Sequence, residues 1–286
     1  MDQRDQIDEF ASMFRKAERE TYVFADVPLE SVAIVTDQPA GQADNVREQL
    51  AVFLPRLQSI DTWHVNAAGD FDNVQELISR FEAQQPDLVI TYRHLFEESH
   101  VPQHSLGVYL DVLTQVLQPP VLVLPGTAIA PQPLDTTPGR CVMVVTDRIS
   151  GDDRLINYGA GMTPDGGEMW LCHVEDDAVF ERYMAAIERI PEIDTDQARK
   201  LIDQQLLKEA GDYINTCLTE LRDKRPSVTF HSSIARGHQL KQYQQLVESH
   251  NVDLLLINTN DEHQLAMHGM AYALSVELID RMLLLL

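Results

Sequence analysis

One pattern occurs twice in the chain. Residues 32–41 read VAIVTDQPAG and residues 142–151 read VMVVTDRISG, sharing V-x-[IV]-V-T-D-x-x-x-G. A repeat constrains a fold more than any single motif, because each copy must form the same unit. Three further pairs follow in the same order. Trp63-His64-Val65 answers Leu171-Cys172-His173-Val174, PDLVIT (86–91) answers VDLLLIN (252–258), and PPVLVLP (119–125) answers MLLLL (282–286). Four anchors in one order predict two copies of one domain.

Each anchor is a short apolar run, often β-branched, which suits a strand buried on both faces. Helical periods lie between the anchors. Val46, Leu50 and Phe53 share a face, as do Val74, Leu77, Ile78 and Phe81. Ala198, Leu201, Ile202, Ala210, Ile214, Leu218 and Leu221 track a long helix over 195–223, with Thr195 or Asp196 as its expected N-cap. Strands alternating with helices give a parallel sheet covered on both sides. The second copy has extra helices and a strand at SVTFHSSI (227–234), so the first reads as a trimmed copy. The expected division is an N-terminal helical extension over 1–29, a first domain over 30–126, a linker over 127–138 and a second domain over 139–286. The extension carries Ile7, Phe10, Phe14 and Ala17 on one helical face. Gly159-Ala160-Gly161 and Asp165-Gly166-Gly167 read as turns at the amino end of the sheet, the wrong end for phosphate.

Composition narrows the partners. The formal charge is −23, from 45 acidic and 22 basic residues. A nucleic-acid groove needs clustered Lys and Arg, so none is expected, and an anionic membrane face is disfavoured. Cys141, Cys172 and Cys217 form no CxxC pair, which excludes a zinc ribbon or thioredoxin-type motif and suits a reducing cytoplasm. The acidic start MDQRDQIDEF has no apolar core of a signal peptide, and no run is long enough for a membrane helix.

The order strand-V-T-D, His-Val, a helix opening Gly237-His238-Gln239-Leu240, V-D-L-L-L-I and a closing apolar strand resembles a universal stress protein domain, here in tandem over 30–126 and 139–286. The resemblance implies two Rossmann-like (adenine nucleotide alpha hydrolase-like) α/β domains with parallel sheets of order 3-2-1-4-5, the first trimmed, paired through their last strands. One branch of that family binds ATP, with a β1 Asp facing adenosine and G-x-x-G, nine residues, then G-[ST] around ribose and phosphates. Asp37 and Asp147 match the Asp. The phosphate motif does not carry over. Asn258, Asp261, Ala271 and Tyr272 stand at its positions in the second copy. Tyr92, Leu95, Gly107 and Val108 stand there in the first, so only Gly107 survives.

A glycine nest works because positive φ costs Gly nothing and the absent Cβ lets phosphate approach. Asn and Asp tolerate that conformation, but Asp261 and Glu262 within DLLLINTNDEHQLAMHG (253–269) would face a polyphosphate. Two like charges at 4–6 Å cost roughly 3–4 kcal/mol at an effective dielectric near 20. The candidate pocket of the second copy is therefore Asp147, His173, Asn258, Asp261 and Tyr272, remodelled away from ATP. Asp37 and Gly107 mark a weaker one in the first.

Other chemistry is thinner. His94, His100 and His104, and His263 with His268, lie in loops after strands, but their spacing matches no zinc motif and no metal is expected. His64 and His173 read as core or strand-end histidines. Ser232-Ser233 beside His231 lies on a strand, where neighbours face opposite sides. No nucleophile elbow occurs. The sequence therefore predicts a non-enzymatic cytoplasmic stress-response or regulatory module. It carries degenerate ATP motifs and no expected cofactor, and binds an unidentified small ligand or protein. Its domains pair within the chain, which is compatible with a homodimer. The alternative is a nucleotide-binding or slow nucleotide-hydrolysing protein using the crevice near Asp147.

Overall fold

The computed structural model describes residues 22–97, 104–146, 153–259, 267 and 269–286. The first repeat supplies β1 (Ser31–Val35), β2 (Thr62–Asn66), β3 (Leu88–Arg93) and β4 (Val121–Thr127). A two-residue strand, β5 (Ala130–Pro131), folds back on the end of β4. The second supplies β6 (Cys141–Val145), β7 (Glu168–Asp176), β8 (Thr229–Gly237), β9 (Leu254–Ile257) and β10 (Met282–Leu285). All lie in one sheet of order β2-β1-β3-β4-β10-β9-β6-β7-β8. The second half thus runs third, second, first, fourth, fifth strand, as the resemblance implies, and the first half has the same order without a third strand. Pairing within each half is parallel apart from the β5 hairpin. At the centre the two last strands meet antiparallel, Leu283 opposite Val123, Leu284 opposite Leu122 and Leu285 opposite Val121.

The alternation of a strand sorts its side chains between two apolar layers. Val32 and Ile34 of β1 and Val142 and Val144 of β6 face one layer, where α1 (Ala40–Phe53), α4 (Asp153–Met162) and α6 (Thr195–Lys224) pack. Ala33, Val35, Met143 and Val145 face the other. That layer is covered by α2 (Val74–Gln84), α3 (Val108–Val116), α7 (Gln239–Ser249) and α8 (Gly269–Glu277). A further helix, α5 (Asp177–Ile187), buries Phe180 and Met184. Equivalent residues of the two repeats occupy equivalent faces, the structural counterpart of the repeated motif.

Three local expectations are corrected. The N-cap of α6 is Asp194, whose carboxylate accepts the Gln197 amide at 3.1 Å, because a cap must precede the first helical residue. Gly159, Ala160 and Gly161 belong to α4, not to a turn. A Cβ at Gly159 would meet Val144 Cγ2 at 2.6 Å, so this glycine lets the helix lie close on the sheet. Asp165–Gly167 does form the expected turn, with Gly166 at φ +75°. Finally, the two His-Val pairs are not equivalent. Strand register sets Ala33 against His64 but Met143 against Trp170, so Trp170 stands where His64 does, and His173 lies beyond that register.

The helix expected over Ile7–Ala17 lies outside the described residues. Residues 22–29 form no helix. They cross to the second half, where the Tyr22 hydroxyl donates to Asn157 Oδ1 at 2.6 Å and the Ala25 amide to the same oxygen at 3.2 Å. No helix among the described residues is long and apolar enough to cross a membrane.

Candidate functional site

In an open α/β sheet a crevice opens where successive connections leave a strand in opposite directions. In the second half that strand is β6, with β7 on one side and β9 on the other. Thr146 follows β6 and donates to the Cys172 carbonyl twice, from its amide at 2.8 Å and its hydroxyl at 3.1 Å. His173 is 3% exposed. Its Nδ1 sits 2.6 Å from the Thr146 carbonyl, which can only accept, so Nδ1 carries the proton. Nε2 then points toward Glu175 Oε2 at 3.6 Å. The Val174 amide donates to the Tyr243 hydroxyl at 3.0 Å, which locks the strand end beside His173. Asn258, half-buried, follows β9 on the other flank. Asp147 and Asp261 lie outside the described residues.

The first half builds its crevice at β1, between β2 and β3. Asp37 accepts from the Gln38 side chain at 3.1 Å. Tyr92, at the position equivalent to Asn258, stands across from it. Burial, and then the Asp37 charge, push the Tyr92 phenol upward.

Beyond Tyr92 the chain turns sharply, with His94 at φ 59° and Phe96 at φ 58°. Such left-handed backbone costs on the order of 1 kcal/mol per residue and persists only where the surroundings hold it. They do: the His94 amide donates to the Leu106 carbonyl at 3.0 Å, and Phe96 packs on Phe71 and Tyr109 with centroids 5.4 and 5.2 Å away. The result is that Glu97 reaches the amino end of α3. Its Oε1 accepts the Val108 amide at 2.7 Å, and its Oε2 pairs with His94 Nδ1 at 2.9 Å. A Cβ at Gly107, φ +89°, would lie 2.8 Å from that Oε1. The glycine is required by its left-handed φ and by the His94 backbone, whose N and Cα a Cβ would also meet at 2.8 Å, and the carboxylate lies at a helix end whose free amides and dipole favour an anion.

Tyr272 of α8 leans toward this first-half site rather than standing alone in the second. Burial and then Asp111 of α3 raise its pKa, and it hydrogen-bonds the backbone at Leu106. Asp111 is itself raised, by burial and then by Glu97.

This arrangement, two parallel half-sheets joined antiparallel through their last strands, matches solved structures along most of its length. A functionally unknown protein, PA1789, from Pseudomonas aeruginosa PAO1 aligns over 90% of this chain and 92% of its own, at 13% identity and a TM-score of 0.52. A putative universal stress protein from Pseudomonas aeruginosa UCBPP-PA14 aligns over 90% and 93%, again at 13% identity and a TM-score of 0.52. The chain has the universal stress protein fold in tandem. No family model and no curated protein matches the sequence.

Within this universal stress fold, sequence reasoning missed two residues. Glu97 sits in a loop whose two left-handed residues carry no sequence signature. Arg93, at the end of β3, is 1% exposed. It donates to the carbonyls of Ser275 at 3.0 Å, Leu124 at 3.1 Å and Leu278 at 3.2 Å, tying β3 to α8 of the other half. A charged residue closing the apolar run LVITYR was the available signal for it. Of the histidines considered as ligands, His94 is committed to Glu97 and His104 is exposed, while His100, His263 and His268 lie outside the described residues. No group of three or more His, Cys, Asp or Glu among the described residues is placed to hold a metal.

Proposed function

We propose that the chain is a regulatory binding module of the universal stress type, working without catalysis and without bound ATP. The observation that carries this reading is Glu97 at the amino end of α3. The helix end that a phosphate would need already holds a carboxylate, bonded to the Val108 amide and to His94. A polyphosphate entering there would meet like charge at a few ångströms, costing roughly 3–4 kcal/mol per pair, or would have to displace a carboxylate tethered to the same chain. Tyr92 facing Asp37 supports the same conclusion on the adenosine side.

The second crevice, beside His173 and Asn258, with Asp147 next in sequence after Thr146, is the better place for a ligand. A small molecule, neutral or accompanied by a cation, suits the acidic residues that the sequence brings to it. Three free, buried cysteines agree with work in a reducing cytoplasm. Calorimetry with Mg-ATP tests the reading. Binding no tighter than about 100 µM, near −5.5 kcal/mol, is expected, and low-micromolar affinity would overturn it. Native mass spectrometry of the purified protein would then identify any non-nucleotide ligand, and Asp147→Ala should abolish its retention while leaving the fold intact.

A further inference from the structure

We propose that β2 is a docking edge for a second copy of this chain, the two β2 strands pairing antiparallel about a two-fold axis at His64. Among the described residues β2 pairs only with β1, because the first half has no third strand to cover it. The second half shows that this position in the fold accepts a strand. Its counterpart β7 carries β8 along its whole length, with His231 beside Trp170.

The partner is chosen by backbone geometry. The Asn66 carbonyl accepts the Thr36 amide, so Asn66 turns its backbone inward to β1. By alternation Trp63 and Val65 turn their N–H and C=O groups outward. Two copies centred on His64 place Trp63 opposite Val65 of the other copy, twice. Each of those pairs can exchange two hydrogen bonds, so all four outward donors and acceptors of each strand edge are matched. Trp63 and Val65 also lie on one face of the sheet, packed on the same apolar layer, so each ring meets a β-branched side chain across the seam. Trp63 is fixed in advance by its bond to the Ile60 carbonyl at 3.0 Å and by the Arg47 guanidinium 5.1 Å above its ring. The strand TWHVN holds no Lys, no Pro and no bulge, the usual guards against edge pairing. At the opposite end of the sheet, β8 has Arg236 locked to Asp177 and Asp203, both at 3.0 Å.

The seam is short and the chain carries −23, so association is weak and strengthens with salt. Sedimentation velocity on the full chain over micromolar to sub-millimolar concentrations should show a monomer–dimer equilibrium, tightening by about threefold or more between low and high salt. Val65→Pro removes an outward donor from each copy without touching the β1 ladder, and should weaken dimerisation by about tenfold or more. His64→Lys sets two like charges at the axis and should do the same. If Val65→Pro fails to fold, His64→Lys and hydrogen exchange of the parent decide, the Trp63 and Val65 amides exchanging more slowly as concentration rises. A monomer under all conditions, variants that dimerise as tightly as the parent, or amide exchange independent of concentration would overturn the proposal.

Discussion

Replacing Arg93 by Ala should loosen the seam between the two halves. The side chain is buried, and its three donors end on main-chain carbonyls of Ser275, Leu124 and Leu278 at 3.0–3.2 Å. Two of those carbonyls close α8 at its carboxyl end, where the helix dipole favours a cation. Burial pulls the Arg93 pKa down to about 10, which still leaves the guanidinium charged at neutral pH. Truncation removes three charge-assisted bonds, leaves a cavity, and strands buried acceptors. Leu278 O keeps the Arg281 amide, so not every acceptor is orphaned. Breaking a buried charged network of this kind costs about 3–5 kcal/mol. At about 2–4 °C per kcal/mol, the Tm should fall by roughly 6–20 °C. Arg93→Met, which keeps most of the volume, should recover part of that loss. Urea unfolding followed by far-UV circular dichroism measures both. A stability of Arg93→Ala within about 1 kcal/mol of the parent would refute the idea that Arg93 holds α8 to β3.

Further outcomes follow from other parts of the molecule. Glu97→Gln should cost about 1–2 kcal/mol, because it removes the charge from the α3 end and from the His94 pair while keeping the shape; thermal unfolding reads this directly. Deleting Leu283–Leu286 removes the strand that covers β4, and the truncated chain should self-associate or precipitate, as light scattering would show; a soluble monomer of parental stability would contradict it. Burial raises the thiols of Cys141, Cys172 and Cys217 from near 9 to about 12. The unfolded chain therefore loses these protons first as pH rises. Their contribution is intact below pH 9 and lost progressively between about 9 and 12, partly offset by Arg93, whose lowered pKa acts in the opposite sense. Urea midpoints measured from pH 8 to 11 should fall, and Cys172→Ala should flatten the slope.

The repeat, the strand set and the central pairing were legible because each rests on local pattern. Apolar runs such as VAIV and LLLL are buried wherever they fall, and two apolar edges on one chain have an obvious mutual partner. Glu97 and Arg93 were not legible, for a common reason. Arg93 finds its acceptors at Ser275 and Leu278, far along the chain, and Glu97 works only because His94 and Phe96 adopt φ values that their side chains do not announce. The His-Val match misled because it compared letters, whereas equivalence in a sheet is fixed by backbone register. A three-residue offset carries a side chain to the opposite face. The α6 cap was misplaced by one or two residues, within the usual blur of helix ends.

The antiparallel seam also sets a timetable. β4 lies at the centre of the sheet, yet its neighbour β10 is made only after the whole of β5 to β9. At about 5–20 residues per second, the Val121–Thr127 edge waits roughly 8–30 s on the ribosome for the strand that covers it. During that interval its partners among the described residues are β3 on one side and the short β5 hairpin at its end. A growing chain therefore carries an uncovered Val-Leu-Val-Leu edge, and slowed translation through the second repeat should lengthen that exposure.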